Sequence, residues 1–242
     1  MKALILAGGR GKRLGGITDY TNKCMLSIGG KPLIEYSLDC VSNLDILTEI
    51  VIVVGYKADE IINRYGNDYN CKPIRYVIQQ EQRGLVHAIE CAQEAVGKDD
   101  LMLMLGDEFM VNPKHQEMAG VFQKEDLFGV CGVIEVEDVS LIKKTYSIIQ
   151  SNENQIYRLI EKPSNPMNNI MGMGNCIFKN EIFSYIPHTP INQKRAEKEL
   201  PDLIQSAIDE GNKVKSFLLC DKYVNVNVSQ EIEEAKSCFY HF

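Results

Sequence analysis

Short apolar runs alternate with helical stripes along the first half of the chain, and this alternation limits the fold more than any other feature. Four runs have the length of strands that are buried on both faces, at Lys2–Ala7, 50–55, 74–79 and Leu101–Leu105. Apolar residues at helical spacing lie between them, over 34–41, Ala58–Tyr65 and 85–96. Strands that alternate with helices are joined by right-handed crossovers, so we predict an α/β protein with a largely parallel sheet.

The pattern changes after residue 125. Predicted strands over 130–136, 145–150, 155–160 and 172–178 are joined by short polar turns, which favours antiparallel pairing. Two further strands, 213–219 and 223–228, accompany predicted helices over 200–208 and 231–242. No linker, repeat or low-complexity tract divides the chain, so we expect a single domain, 1–242, with a mixed sheet.

Composition excludes several classes of protein. The chain has 242 residues, of which 45% are hydrophobic, and this is enough for a sizeable core. No apolar run reaches the ~18 residues of a membrane span, and the N-terminal run is too short for a secretory signal. The eight cysteines form no CxxC pair and no zinc-finger spacing. We therefore expect a cytoplasmic protein with reduced thiols and no membrane partner.

The charge is distributed unevenly. The net charge is −7, which disfavours nucleic acid as a partner of the whole chain. Residues 1–31 nevertheless contain a single acid, Asp19, and several bases: Lys2, Arg10, Lys12, Arg13, Lys23 and Lys31. This cationic start suits a small polyanion, and the alternative is a solvated basic loop.

The loop after the first strand has the features of a phosphate-binding segment. Its glycines let the backbone approach a ligand and let N–H groups converge on phosphate oxygens. Arg13 offers a planar fork for phosphate, and Lys23 offers a compact charge. The loop is neither a Walker loop nor GxGxxG. We predict phosphate binding here, with a purely structural turn as the alternative.

Three polar groups lie beyond later strands. Asp107 follows the strand Leu101–Leu105, and ligands of open α/β sheets bind at this carboxyl end of the strands. A Mg²⁺ ion would join its carboxylate to a polyphosphate, whereas the alternative role is a helix cap. Lys162 could contact a phosphate while Glu161 accepts hydrogen bonds from hydroxyl groups. Farther along the chain, the amide oxygen of Asn225 could complete a Mg²⁺ site. A surface turn and an exposed strand face are the alternatives for these two segments.

In this combination the chain resembles the sugar-1-phosphate nucleotidyltransferases, and glucose-1-phosphate thymidylyltransferases in particular. The opening motif of that family, LAGGxGxRLxPxTxxxxK, corresponds to Leu6 through Thr18 and on to Lys23. Further matches follow in order along nearly the whole chain: Lys31-Pro32, Gln79 with Gly84-Leu85, Leu105-Gly106-Asp107, Glu161-Lys162-Pro163, 172–177 and 195–202. The resemblance implies a Rossmann-like three-layer αβα fold with a mixed central sheet, of the nucleotide-diphospho-sugar transferase type. It also implies a nucleotide-binding half, 1–125, and a sugar-phosphate-binding half, 126–242.

The resemblance implies a reaction and a set of site residues. A sugar 1-phosphate would attack the α-phosphorus of a nucleoside triphosphate, with dTTP or UTP favoured, and pyrophosphate would leave. The implied catalytic residues are Arg13, Lys23 and Lys162. The implied nucleotide-binding residues are Leu6, Ala7, Gly8, Gly9, Gly11, Gln79 and Gly84. Glu161, Gly174 and Arg195 would bind the sugar phosphate, and Asp107 and Asn225 would hold Mg²⁺. A homo-oligomer is a further expectation of the family.

Some positions depart from the family pattern. Gly16 stands where the family has proline, and Asn225 stands where thymidylyltransferases have a metal-binding aspartate. N-acetylglucosamine-1-phosphate uridylyltransferases use an asparagine in the comparable role, and either Asn225 or Asn227 could fill it. The alternatives are a cytidylyl- or guanylyltransferase of the same fold, a metal-dependent glycosyltransferase and a catalytically silent nucleotide-sensing protein. Arg13 and Lys23 disfavour the glycosyltransferase, which has no pyrophosphate to hold.

Overall fold

The computed structural model of the chain describes residues 1–239. The strands are β1 Lys2–Ala7, β2 Ser27–Ile28, β3 Lys31–Pro32, β4 Ile50–Val54, β5 Asp68–Tyr69, β6 Lys72–Ile78, β7 Leu101–Leu105, β8 Glu108–Val111, β9 Gly129–Glu135, β10 Tyr146–Gln150, β11 Ile156–Glu161, β12 Ile170–Phe178, β13 Ile191–Asn192, β14 Glu197–Lys198, β15 Val214–Leu218 and β16 Lys222–Asn225. The α-helices are α1 Leu33–Ser42, α2 Ala58–Tyr65, α3 Leu85–Cys91, α4 Gln93–Val96, α5 His115–Lys124, α6 Ile182–Tyr185, α7 Leu200–Asp209 and α8 Ser229–Ser237. Three 3₁₀ segments cover Lys12–Ile17, Lys23–Met25 and Val139–Lys144.

A mixed sheet of ten strands forms the centre of the molecule. The strands β7, β1, β4 and β6 are parallel neighbours in that order. Beyond β7 the sheet continues with β12, which is antiparallel to β7, β9 and β10. The predicted fold class is confirmed, since the parallel strands of the first half are extended by β12 and its antiparallel neighbours, with β15 parallel to β9.

Helices cover both faces of this sheet. Alternate residues of β1 belong to two separate cores, with Ala3 and Ile5 on one side and Leu4 on the other. The first core includes apolar residues of α1, α2 and α5, and the second includes those of α3, α4 and α7. Alternation along a strand places neighbouring side chains on opposite faces, so the buried run of β1 requires both layers.

The strand β12 is irregular in its middle. Its register with β9 shifts between Gly172 and Cys176. Up to Gly172 it pairs with β10, and from Cys176 onwards it pairs with β7. The intervening residues therefore leave the regular ladder, and their backbone groups need other partners.

Most predicted elements are present, and most of their ends differ by one or two residues. The predicted strand 223–228 already ends at Asn225, and the predicted helix 231–242 already ends at Ser237. The predicted single helix over 85–96 is wrong, because the chain forms α3 and α4 on either side of Ala92. The Ala92 N–H bonds to Ile89 O at 3.0 Å, three residues back, and this tighter turn interrupts the α-helix. Strand β8 and helix α5 were not predicted. The last three residues of the predicted helix 231–242 lie outside the described residues.

Within residues 1–239, none of the helices combines the length and the apolar character that a bilayer span requires.

Gly172 provides a test of the packing around β12. A Cβ atom at this position would overlap the Tyr146 ring. We expect Gly172→Ala to lower the free energy of unfolding by about 1–3 kcal/mol, as overpacked cores do, in a urea titration. Gly120→Ala is the matched control, because Gly120 lies in helix α5 with open space around it and should be neutral or slightly stabilising. Equal stability of Gly172→Ala and the wild type would contradict this packing.

Candidate active site

The glycine-rich loop forms one wall of a cavity of about 420 Å³ at the carboxyl ends of β1 and β7. This loop cavity is lined by Leu6, Gly8, Gly9, Arg10, Gly11, Lys12, Gln79, Gln82, Gly84, Leu85, Ala88, Leu105, Asp107 and Glu197. Gly11 has a φ of 69°, in the left-handed region that favours glycine. The backbone of the loop therefore adopts a conformation that glycine allows, and phosphate binding by its N–H groups stays a prediction.

Gln79 closes the loop cavity on the side of Gly8. It is 6% exposed, and its Nε2 donates to Gly84 O at 3.2 Å. A Cβ atom at Gly8 would lie 2.9 Å from Gln79 Oε1, so a larger residue at position 8 would displace this amide. The wall thus presents a fixed amide beside a bare stretch of backbone.

A hydrogen-bonded cluster links the loop to the end of β7. The buried Lys23 forms an ion pair with Asp107 and donates to Asn227 Oδ1 at 3.1 Å. Arg13 Nη2 donates to the same oxygen at 2.7 Å. Val226 N donates to Asp107 O at 3.0 Å, which holds the segment after β16 against the end of β7. Arg13 and Asp107 are therefore connected through shared partners, and they do not lie on opposite sides of the molecule.

Of the two roles expected for Asp107, the structure tests only the helix cap, and the Mg²⁺ role stays a prediction. The next element is the strand β8, so Asp107 precedes no helix and the capping role is wrong.

A second cavity, of about 250 Å³, lies beside the loop cavity and is lined by Glu161, Lys162, Gly174 and Arg195, among others. In this Glu161 cavity, Glu161 Oε1 is 3.1 Å from Lys162 Nζ and accepts from Arg195 Nη2 at 2.8 Å. Lys162 has a φ of 43°, which is uncommon outside glycine, and its N–H donates to Thr145 O at 2.7 Å. The turn therefore directs Glu161 and Lys162 into the cavity, and Arg195 enters it from the segment between β13 and β14.

A third cavity, of about 230 Å³, adjoins the Glu161 cavity on the side away from the loop cavity. This Arg13 cavity is lined by Arg13, Leu141, Lys144, Thr145, Lys162, Met171, Tyr223, Val224, Asn225, Asn227, Glu231 and Glu234. It shares Lys162 and Asn225 with the Glu161 cavity, which in turn shares Leu105 and Glu197 with the loop cavity. The three form one continuous crevice with the Glu161 cavity in the middle, and all but two of the predicted site residues line it.

Two predicted residues lie behind this surface. Ala7 is buried and lines none of the three cavities, and its carbonyl accepts from Asn22 Nδ2 at 3.2 Å. Lys23 is also buried, and it reaches the crevice only through its contacts with Asp107 and Asn227.

Glu108 is a fully buried acid directly after Asp107. Its Oε1 accepts from Gly174 N at 3.2 Å and from the Tyr223 hydroxyl at 2.5 Å, and its Oε2 accepts from Asn175 Nδ2 at 2.5 Å. Burial raises the pKa of Glu108 to about 8, the charge of Asp107 adds to this, and the Tyr223 bond opposes it.

His115 extends this buried network. Its Nε2 lies 2.9 Å from Asn175 Oδ1 and its Nδ1 lies 3.1 Å from Cys40 Sγ. Burial lowers the pKa of His115, so the ring is neutral, and burial raises the pKa of Cys40 to about 12, so the sulfur is a thiol.

The donor set at the crevice fits a hard divalent cation. In residues 1–239, no three His, Cys, Asp or Glu side chains come together as a ready-made metal cage. Mg²⁺, however, commonly uses one or two protein oxygens together with substrate phosphates and water. The ammonium group of Lys23 lies against the Asp107 carboxylate, which shows that this position accommodates a cation. Asn225 borders two of the cavities, and its Oδ1 accepts from Asn227 Nδ2 at 2.5 Å.

Several residues of the crevice have contacts that were not predicted from the sequence. Lys144 and Glu197 each line two cavities, and Asn227 joins Arg13 to Lys23. Lys144 belongs to a polar 3₁₀ segment without a motif. The only available signal for Asn227 was its place in the short sequence Asn225-Val226-Asn227.

A model of the nucleotidyl transferase family matches residues 2–225, which is most of the chain. The chain belongs to the nucleotidyl transferase family. The resemblance stated from the sequence is confirmed. The matched residues include both the glycine-rich loop and the residues of the Glu161 cavity.

Among curated relatives, this nucleotidyl transferase is 29% identical to the UTP–glucose-1-phosphate uridylyltransferase AglF of Haloferax volcanii, over 98% of this chain and 95% of the relative. It is also 29% identical to a glucose-1-phosphate thymidylyltransferase of Streptomyces griseus, over 96% of this chain but 64% of the relative. A solved structure of UDP-glucose pyrophosphorylase complexed with UDP-glucose superposes with a TM-score of 0.88 at 22% identity, covering 99% of this chain and 98% of that one. This last likeness shows the fold.

The neutral, buried His115 predicts how stability changes with pH. Its pKa in the folded protein lies below the ordinary value of 6.5, so the unfolded chain binds a proton first as the pH falls. The stability contributed by neutral His115 is therefore present above pH 6.5 and is lost as the pH falls below it. We expect urea titrations between pH 7.5 and 5.5 to show a smaller loss for His115→Gln than for the wild type. His188→Gln, at an exposed site, should retain the wild-type dependence, and identical slopes for all three proteins would contradict the assignment.

Proposed function

We propose that this protein joins a sugar 1-phosphate to a nucleoside triphosphate and releases pyrophosphate and a nucleotide sugar. The observation that carries the proposal is the continuous crevice, in which the cavity of Glu161, Lys162 and Arg195 lies between the loop cavity, with Asp107, and the cavity of Arg13. Two anionic substrates fit such an arrangement when each end neutralises one phosphate group. The names of the two relatives support the same reaction.

In this proposal the chain acts by orientation and charge. The oxygen of the sugar phosphate is already ionised at neutral pH, so the attack on the α-phosphorus needs no general base. Lys162 and Arg195 orient the sugar phosphate, Lys23 lies at the α-phosphate, and Arg13 holds the leaving phosphates. Glu161 and Gly174 line the sugar.

We further propose that Gln79 and Gly84 face the base, with Leu6, Gly8, Gly9 and Gly11 along the nucleotide and Ala7 supporting them from below. Residues 1–125 then form the nucleotide-binding half, and 126–242 form the sugar-phosphate-binding half. The amide of Gln79 can pair with the edge of thymine or uracil, which favours dTTP or UTP.

Asp107 and Asn225 would hold Mg²⁺, with Asn227 as the neighbouring amide. When bound, Mg²⁺ would offset the charge of the triphosphate beside Asp107. A cytoplasmic location and a homo-oligomer stay predictions from the sequence.

The decisive experiment is a matrix of dTTP, UTP, CTP, GTP and ATP against several sugar 1-phosphates with Mg²⁺, with pyrophosphate release as the readout. We expect turnover with dTTP or UTP. Nucleotide binding without turnover by any pair would contradict the proposal and would favour a silent nucleotide sensor.

The proposed roles of Lys162 and Asp107 predict large kinetic losses. One preorganised charge contact is typically worth about 10²–10³ in kcat, so Lys162→Ala and Asp107→Ala should each lose about this factor. Both should keep the far-UV circular dichroism of the wild type. Lys143→Ala removes the same charge from an exposed position and serves as the control. Near wild-type turnover of either site variant would overturn its assignment.

Lys144 gives an independent prediction, because it lines both the Glu161 cavity and the Arg13 cavity. Its Nζ lies 3.1 Å from Glu231 Oε1, and a phosphate could compete for this exposed ammonium. We expect Lys144→Ala to raise the KM for pyrophosphate in the reverse reaction by about tenfold, the effect of one charge-assisted bond. Lys143→Ala, in the same 3₁₀ segment, should leave this KM unchanged. The same KM in both variants would rule out a phosphate contact.

A further inference from the structure

The buried carboxyl of Glu108 joins two parts of the crevice that belong to different strands. In the β8–β16 ladder Glu108 pairs with Asn225, and Tyr223 of the same strand donates to its Oε1. On the other side, Gly174 and Asn175 of β12 donate to the same carboxyl. No step of the proposed reaction uses this group.

The contact with Gly174 satisfies a backbone group that the sheet leaves unpaired. Gly174 lies in the irregular part of β12, between the residues that pair with β10 and those that pair with β7. A buried N–H without a partner is costly, and Glu108 supplies the acceptor. A Cβ atom at Gly174 would lie 2.9 Å from Glu108 Oε1, so the strand and the carboxyl fit closely.

A chain of hydrogen bonds fixes the orientation of the carboxyl. Asn175 Nδ2 donates to Glu108, so Asn175 Oδ1 accepts, and the neutral His115 must donate to it from Nε2. The Nδ1 of the same ring then has no proton, and it accepts from the Cys40 thiol. Every donor from Cys40 onwards points towards Glu108.

We propose that Glu108 is a positioning residue that holds the sugar side of the crevice, at Gly174, in place against the strand of Asn225. The chain of Cys40, His115 and Asn175 keeps its carboxyl in the required orientation. This rests on the proposed function, which assigns Gly174 to the sugar phosphate and Asn225 to the metal.

The variant Glu108→Gln leads to a specific expectation. The N–H of Gly174 can only donate, so the amide oxygen must take the place of Oε1 and the NH₂ group must face Asn175. Asn175 then turns its own oxygen towards position 108 and its NH₂ group towards His115. His115 must accept at Nε2, so its proton moves to Nδ1. One isosteric substitution should therefore reverse the tautomer of a ring two side chains away.

The first measurement is ¹⁵N NMR of the histidine rings in the full chain without substrates, with His115→Gln used to assign the signal. At about pH 9, where the Glu108 carboxyl is ionised and can only accept, we expect the proton of His115 on Nε2 in the wild type and on Nδ1 in Glu108→Gln. Glu49→Gln is the matched control, because Glu49 pairs with Lys2 and Arg75 away from the crevice, and it should leave the tautomer unchanged. An unchanged tautomer in Glu108→Gln would overturn the donor chain.

The second measurement separates positioning from a merely structural role. Glu108→Ala should raise the KM for the sugar 1-phosphate about tenfold and change the KM for the nucleotide less than about threefold, since one charge-assisted contact is lost on the sugar side. Glu108→Gln keeps an acceptor for Gly174 and should restore the KM to within about threefold of the wild type. An equal KM for the sugar 1-phosphate in wild type and Glu108→Ala would overturn the proposal, and so would a failure of Glu108→Gln to restore it.

The two measurements distinguish the failure of this inference from failure of the proposed function. If the wild type turns over no substrate pair, the proposed function fails, and the tautomer still decides the donor chain. If Glu108→Ala does not fold, the tautomer and the kinetics of Glu108→Gln decide the inference.

Discussion

The parallel pairing of β1 with β7 is the constraint on which the rest of the crevice depends. Leu6 is opposite Leu105 in this ladder, and Gly106 N donates to Leu6 O at 3.0 Å. The two chains that leave these strands therefore start side by side at one edge of the sheet. One begins the glycine-rich loop, which leads to Lys23, and the other leads to Asp107. The ammonium group of Lys23 and the carboxylate of Asp107 are therefore close enough to form their ion pair.

Electrostatics within the crevice depends on partial neutralisation. Lys23 and Asp107 are both largely buried, and an uncompensated charge at either position would be costly. Their pairing, together with the amide of Asn227, keeps the ligand-free crevice stable while it retains exposed cations at Arg13 and Lys162. In the proposed reaction, an incoming polyanion would meet positive charge that is already ordered before it binds.

The features that could be predicted from the sequence are those set by local patterns. Apolar runs with glycine stops located β1 and β7, and the rule that ligands bind at the carboxyl ends of strands placed Asp107 beside the loop. The part played by Asn227 could not be predicted, because its contacts with Arg13 and Lys23 join residues at opposite ends of the chain. The position of Ala7 beneath the cavity could not be predicted either, since a motif does not distinguish a residue that lines a cavity from one beneath it. Strand β8 was missed because Glu108 interrupts its apolar pattern, and only the folded structure shows that this acid is buried.

Glu197 of β14 borders the loop cavity and the Glu161 cavity, together with Leu85 of α3 and Leu105 of β7. It packs so tightly on Gly84 that a Cβ atom there would lie 2.7 Å from its Oε2. The boundary between the two compartments is therefore one acidic side chain beside two leucines that a helix and a strand hold in place. A change in the position of the Glu197 side chain would alter the shape of both compartments at once.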